Sequence, residues 1–262
     1  MPALADDPLL VFRMPWLLLA GSFVTLWLSA SVGASAFKRL RAQVGEARED
    51  FIVIQGATLT LLGLLIGFAF SMAIGRYDLR KNYEEGEANA IGTAYVRADL
   101  IPAAGAAKVR TLLLSYLDQR VLFYTEQDEQ KLRQVDAATT KLQAELWSAV
   151  AAPALAQPSP LMALVVNGMN DVLNSQGYTL AAWRNRIPLA AWALMMTIAI
   201  CATFLIGVGT KNKRVGSGLL LVLPFVVSVA FFLIADIDSP RRGVIRVVPQ
   251  NLLSLAQALR AQ

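Results

Sequence analysis

The residues best spaced to act together lie in the second of four uncharged stretches. Gly56, Thr60, Gly63, Gly67, Ser71 and Gly75 recur at intervals of 4, 3, 4, 4 and 4, which places them on one narrow face of a helix. A slim face of that kind serves close helix–helix packing, as in small-xxx-small motifs. Its other use is a pore or a mobile helix. On spacing alone, packing is the favoured reading. Residues 14–37, 51–75, 187–210 and 215–235 hold no Asp, Glu, Lys or Arg. Ionisable groups at membrane depth mark proton relays and coupled transport, so their absence argues against a proton-coupled transporter or pump. It leaves open a channel whose path is lined by apolar constrictions and backbone dipoles.

Other chemistry is thin. The chain has no histidine and one cysteine, Cys201, read as a small apolar residue within a span. His-based triads, His-ligated zinc or haem, four-Cys zinc sites and intramolecular disulfides are therefore excluded. No phosphate-binding glycine loop, nucleophile elbow or kinase signature occurs. The expectation is a protein that is no enzyme and carries no cofactor or metal. Asp236 and Asp238 form a D-x-D pair, too few acids for a calcium site of 6–8 oxygens. They are read as a solvated interfacial pair or as partners for Arg241 and Arg242. Glu84, Glu85 and Glu87 are read as a solvated helix face, with a vestibule ring as the alternative. Asn167, Asn170, Asp171 and Asn174 are read as the polar face of their helix.

The elements that position these residues follow from composition. Of 262 residues, 56% are hydrophobic and 16% charged, and the mean hydropathy is +0.49. A soluble domain carries about 25% charged residues. Each uncharged stretch reaches the roughly 20 residues a membrane span needs. Trp16 and Trp27 mark the first, Tyr77 follows the second, and Trp183 and Trp192 flank or enter the third, as aromatic residues at headgroup depth do. The first stretch exceeds the core of a signal peptide and is preceded by Asp6 and Asp7, so it is expected to be a retained anchor.

Between the second and third stretches the chain reads as helical. The second span continues without a break into Arg76, Tyr77, Arg80 and Lys81, and no Gly, Pro or turn cluster stops it before Pro102 and Gly105. Glu84 adds i,i+3 and i,i+4 pairs with Lys81 and Arg80. Val109, Leu112, Leu113, Tyr116, Leu117, Arg120, Val121 and Tyr124 form a helical stripe. Leu132, Val135, Thr139, Leu142, Leu146 and Val150 form a second. Residues 153–160 (PALAQPSP) are expected to be a loop, followed by a third stripe from Leu161 through Gly168 and Val172 to Gln176. The expected fold is an all-α membrane protein with four transmembrane helices and a helical domain inserted between the second and third. Its expected parts are residues 14–75 (spans one and two), 76–186 (the extramembrane helical domain), 187–235 (spans three and four) and 236–262 (a C-terminal tail).

The net charge is +5, yet residues 76–186 hold twelve basic and twelve acidic residues. No basic patch stands out there, so nucleic acid is not an expected partner. The two short loops carry Lys38, Arg39, Arg41, Arg48, Lys211, Lys213 and Arg214. Opposite them lie Arg13, Arg76, Arg80, Lys81, Arg184, Arg186, Arg241, Arg242 and Arg246. Seven against nine leaves the orientation open by the positive-inside rule.

The run 67–100, GFAFSMAIGRYDLRKNYEEGEANAIGTAYVRADL, resembles the core of a bacterial membrane family described as bestrophin-like. The resemblance rests on the Arg76-Tyr77 pair, the helix around Glu87 and the Tyr-Val-Arg-Ala-Asp segment. Residues 238–247, with Asp238, Pro240 and Gly243 ahead of Ile245-Arg246-Val247, resemble that family's close. By layout the resemblance covers most of 51–255. More distantly the chain is similar to bestrophins, pentameric anion channels with four spans per subunit. Their second span lines the pore, and their helical domain lies in the cytosol. That similarity implies a neck at Phe68, Leu64 and Thr60. Thr60 departs from the pattern as a hydroxyl, and Asp78 replaces a second aromatic. The resemblance implies a homo-oligomeric, pentameric anion channel in the bacterial inner membrane. Its implied partners are the lipid bilayer, further copies of itself and small anions. The competing reading is a non-conducting membrane sensor or scaffold whose helical domain binds a partner through stripes 109–124 and 132–150.

Overall fold

The computed structural model describes residues 14–36, 48–210, 213–241 and 243–261, without the side chains of 36, 213–217 and 219. Arg13, Lys38, Arg39, Arg41, Lys211 and Arg242 lie outside the described residues, as do Asp6 and Asp7. Eight α-helices carry the described residues: α1 Pro15–Ala36, α2 Arg48–Arg97, α3 Ala103–Thr125, α4 Glu129–Ala156, α5 Pro160–Arg184, α6 Leu189–Gly209, α7 Lys213–Asp238 and α8 Gln250–Arg260. A 3-10 turn, Ala98–Leu100, ends α2, and no strand occurs among the described residues. Four helical segments are long and apolar enough to cross a membrane. The chain is all-helical, and it divides into two compact units.

One unit takes residues 1–75 and 186–246. Here α1 packs against α6 and α7. Its buried stripe is Leu18, Ser22, Leu26, Ala30 and Gly33, at intervals of 4, 4, 4 and 3. In lipid there is no hydrophobic drive between helices, so close approach and hydrogen bonds must hold them. Both are present. A Cβ on Gly207 would run into the Ala30 carbonyl oxygen, and one on Gly33 into the Phe204 carbonyl. Ser29 Oγ donates to the Ile200 carbonyl at 2.9 Å. Trp192 meets Phe231 edge-on with ring centres 6.0 Å apart. Pro224 lies inside α7, where its missing N–H would be costly in isolation.

The other unit takes residues 76–185 and 247–262. Its core joins the polar end of α2 with α3, α4, α5 and α8 through Ile91, Leu113, Leu117, Leu146, Met169 and Leu252, all 1% exposed or less. The first stripe is buried or half-buried throughout, Arg120 included, and the second likewise. The third is buried at Val165, Gly168, Met169 and Val172 but open at Leu161 and Leu164. Capping explains the helix starts. Asp128 accepts from the Gln130 and Lys131 amides, and Ser159 Oγ accepts from the Met162 amide, with Pro160 at the first helical position. Those backbone donors hold the exposed Asp128 carboxyl below its usual range, and the Asp128 and Gln127 amides do the same for Glu126.

The expected loop 153–160 is a correction. Helix α4 runs on through Pro153 to Ala156, and the Gln157 amide bonds back to the Pro153 carbonyl at 2.9 Å. Only 157–159 connect α4 to α5. Pro153 gives up the bond to the Ala149 carbonyl and its ring crowds that carbonyl, but its fixed φ is helical and only three helical residues follow it.

Candidate functional site

The apolar half of α2 has two unlike faces. Leu62, Ala69 and Ala73, at intervals of 7 and 4, are buried. At 3.6 residues per turn, Thr60, Leu64 and Phe68 fall on the opposite side together with Gly56, Gly63, Gly67, Ser71 and Gly75. All eight are exposed, Phe68 by 66% and Leu64 by 54%. A Cβ added at Gly56, Gly63, Gly67 or Gly75 would meet nothing within 4 Å. Among the described residues nothing packs on the glycines of this face. In the apolar unit the tight helix–helix glycine contacts belong to Gly33 and Gly207 instead, each at the end of a small-residue run at intervals of four: Gly21, Thr25, Ser29, Gly33 and Ala199, Thr203, Gly207.

The polar half of α2 corrects the reading of the three glutamates. Glu85 is exposed, but Glu84 and Glu87 are 2% and 1% exposed, so they form neither a solvated face nor an open ring. Glu84 accepts from the Leu252 amide at 2.9 Å and from Asn251 Nδ2 at 2.6 Å. It thereby supplies the acid at the start of α8, where Pro249 offers no side-chain cap. Arg80, fully buried, donates to the Ala182 and Asn185 carbonyls at 3.3 and 3.2 Å, at the negative end of α5. Of the pair that opens the polar half, Arg76 is half-buried and Tyr77 packs against the unit's core, with Lys81 Nζ 5.9 Å from its ring centre.

Glu87 is the centre of this half. Its Oε1 accepts from Arg120 Nε at 3.0 Å and lies 3.0 Å from Arg120 Nη2, while Oε2 accepts from Tyr124 OH at 3.0 Å. Thr179 of α5 stands beside both Glu87 and Tyr124. Arg120 is fully buried, with its guanidinium 4.4 Å from the Phe123 ring centre. The Phe123 and Tyr124 rings pack on Trp183 at 4.9 and 5.3 Å. Burial pushes the Glu87 carboxyl above the usual carboxylate range, against the pull of Arg120 and the hydrogen bonds it accepts. Burial also pushes the Tyr116 phenol to about 12 and raises Tyr124, so both stay protonated at working pH. The sequence places Arg120 on an apolar stripe, and its partner acid lies 33 residues away on another helix. A charge on such a stripe must be paired, and that signal points to an acid on a facing helix.

The close of the sequence motif is a built turn. Asp236 and Asp238 are 1% and 6% exposed, which corrects the reading of a solvated pair. Asp236 accepts from the Val244 and Ile245 amides at 2.7 and 2.8 Å, and Asp238 from the Ile187 amide at 3.0 Å. Among the described residues no group of three or more acidic, Cys or His side chains could hold a metal ion. Pro240 is buried in the same turn. Gly243 is required there: a Cβ would stand 2.6 Å from the Asp236 carbonyl oxygen and 2.9 Å from its Cγ. Gly243→Ala is expected to cost about 1–3 kcal/mol, read as a lower unfolding temperature in detergent. Asn167, Asn170, Asp171 and Asn174 are exposed, as read.

Comparison with known proteins agrees with this layout. A family model described as "Bestrophin-like domain" matches residues 23–252. Two single-substitution variants of a bacterial bestrophin homologue from Klebsiella pneumoniae superpose with TM-scores of 0.65 and 0.63, each at 11% identity. They cover 93% and 91% of this chain and 98% and 99% of theirs. The crystal structure of that homologue phased by zinc anomalous scattering gives 0.61 at 13% identity, over 91% of this chain and 98% of its own. No curated protein sequence matches. A family match spanning residues 23–252, on a chain with four apolar helices, makes this an integral membrane protein of the bestrophin-like family.

Proposed function

We propose that the chain forms a homo-oligomeric, pentameric ion channel whose second helix lines the pore. The observation that carries this reading is the open face of α2. A helix surface of glycines, Ser71 and Thr60, flanked by Leu64 and Phe68, is exposed along the apolar half of the helix, and a Cβ on its glycines would meet nothing among the described residues. Small residues let second helices from several copies approach one axis. Phe68 and Leu64 then narrow the path, with Thr60 one turn further, and an apolar constriction of this kind gates by dewetting. The absence of charge through 51–75 favours a channel over coupled transport. Anion selectivity, with chloride as the test ion, follows from the family resemblance. So does placing residues 76–186 on the cytoplasmic side of a bacterial inner membrane. Residues 14–75 and 187–235 provide the spans, and 236–262 follow them.

Native mass spectrometry of delipidated protein tests the assembly. A mass of about five 28.4 kDa chains is expected. A monomer or dimer stable in several detergents would remove the pore. In bilayers, reversal potentials in a chloride gradient then report selectivity. Phe68→Ala widens the proposed constriction and is expected to raise conductance or open probability severalfold. An unchanged current in a conducting preparation would take Phe68 out of the gate.

A further inference from the structure

Charge burial in the polar unit is organised around one carboxyl. Glu84, on the same helix, is spent on the start of α8, and Arg80 is spent on the end of α5. Asp118 and Arg260 pair with each other in the open. That leaves Glu87 facing Arg120, Tyr116 and Tyr124 of α3 and the neutral Thr179 of α5. The grip on Arg120 is one-sided. Nε donates to one carboxylate oxygen and Nη2 lies 3.0 Å from that same oxygen, while neither Nη1 nor Nη2, both buried, has a hydrogen-bond partner among the described residues. Thr139 Oγ1 of α4, which packs on α3, is also buried without one. The guanidinium also stands over the Phe123 ring, 4.4 Å from its centre, while it holds Glu87. Two contacts therefore hold the Arg120 charge at once, and only one of them depends on an ionised Glu87.

We propose that Glu87, Arg120 and Tyr124 form a proton-operated switch: when Glu87 takes up a proton from solvent, Arg120 loosens from it and keeps only its contact with the Phe123 ring. The ring contacts of Phe123 and Tyr124 with Trp183 carry the change to the end of α5. Proton uptake by the folded protein is the accessible step, because burial already raises the Glu87 carboxyl. If the chain conducts as proposed above, its current follows the same titration, since Glu87 and the Thr60–Phe68 face share one continuous helix.

Infrared difference spectra of the full chain in nanodiscs, recorded between neutral and mildly acid pH, test this directly. A carboxylic C=O band from a buried acid is expected to appear above the ordinary glutamate range and to vanish in Glu87→Gln. Trp183 emission, assigned by its loss in Trp183→Phe, is expected to change over the same pH span and to be flat in Glu87→Gln. Tyr124→Phe removes a donor to the carboxylate and is expected to move both titrations to higher pH, which keeps the test open should Glu87→Gln misfold. A band that survives in Glu87→Gln, a Trp183 response that persists there, or titrations that Tyr124→Phe leaves unmoved would overturn the switch. So would Glu87 titration with no Trp183 response. Both spectroscopic readouts are independent of conduction: a protein that titrates but passes no current refutes the channel and leaves the switch standing.

Discussion

Arg120→Ala is expected to destabilise the polar unit by on the order of 3–5 kcal/mol at alkaline pH, because it strands Glu87 as a buried carboxylate with no counter-charge. Both side chains are essentially sealed from water, at 0% and 1% exposure, so solvent cannot take over from the lost partner. The pH dependence gives the effect its signature. Glu87 ionises in the folded protein above its unfolded value, so the folded state holds the proton longer than the unfolded chain does. Its contribution to stability is therefore full below the ordinary glutamate value and is lost as pH rises through the folded-state value. Removing Arg120 takes away the main opposing pull and lifts that folded-state value further. The deficit of Arg120→Ala should accordingly be largest in alkali and shrink in acid, where Glu87 is neutral in both proteins. Thermal unfolding in detergent at several pH values checks this. A deficit that is flat with pH would mean that the loss is packing around the arginine stem and the Phe123 ring, and not the charge.

The second large effect lies in the apolar unit. Gly207→Val is expected to cost on the order of 3 kcal/mol and to lower the yield of folded protein. The branched side chain would enter the Ala30 carbonyl and crowd the Ala34 amide, which stands 2.9 Å from where the Cβ would be. These are backbone atoms of α1, so nothing small can rotate away. The helices must separate, and in lipid a separated pair loses the dispersion contacts that hold it. Gly67→Val supplies the contrast. Its Cβ meets nothing within the chain, so folding stability should change by no more than about 0.5 kcal/mol. Its effect belongs to assembly, where native mass spectrometry would register it. Equal losses of unfolding temperature in the two variants would show that the α2 face is packed within the chain after all.

Much of the architecture was legible because the bilayer imposes it. A stretch of about 20 residues without charge has few uses other than a span, and four such stretches correspond to four apolar helices. The polar helices were legible for a related reason. Apolar residues at intervals of three and four must share a face, and Val109 to Tyr124 and Leu132 to Val150 turn that face inward. Pro153 misled because a proline reads as a breaker, although its fixed φ fits a helix and the helix continues three residues beyond it.

Tertiary structure decided what each face meets. Period and composition place Arg120 on a stripe and Glu87 on a helix, but 33 residues separate them, and only folding brings the guanidinium to the carboxylate. Glu84 reaches the Leu252 amide across 168 residues, and Asp236 and Asp238 turn from a solvated pair into acceptors for backbone amides. The glycines show the same division. A regular interval marked Gly56 to Gly75 as a small face, yet within the chain that face stays open, and the close approach falls to Gly33 and Gly207. A sequence therefore determined which residues share a surface, because helical geometry is local. What lies against that surface depends on the paths of other helices, and no local period encodes those.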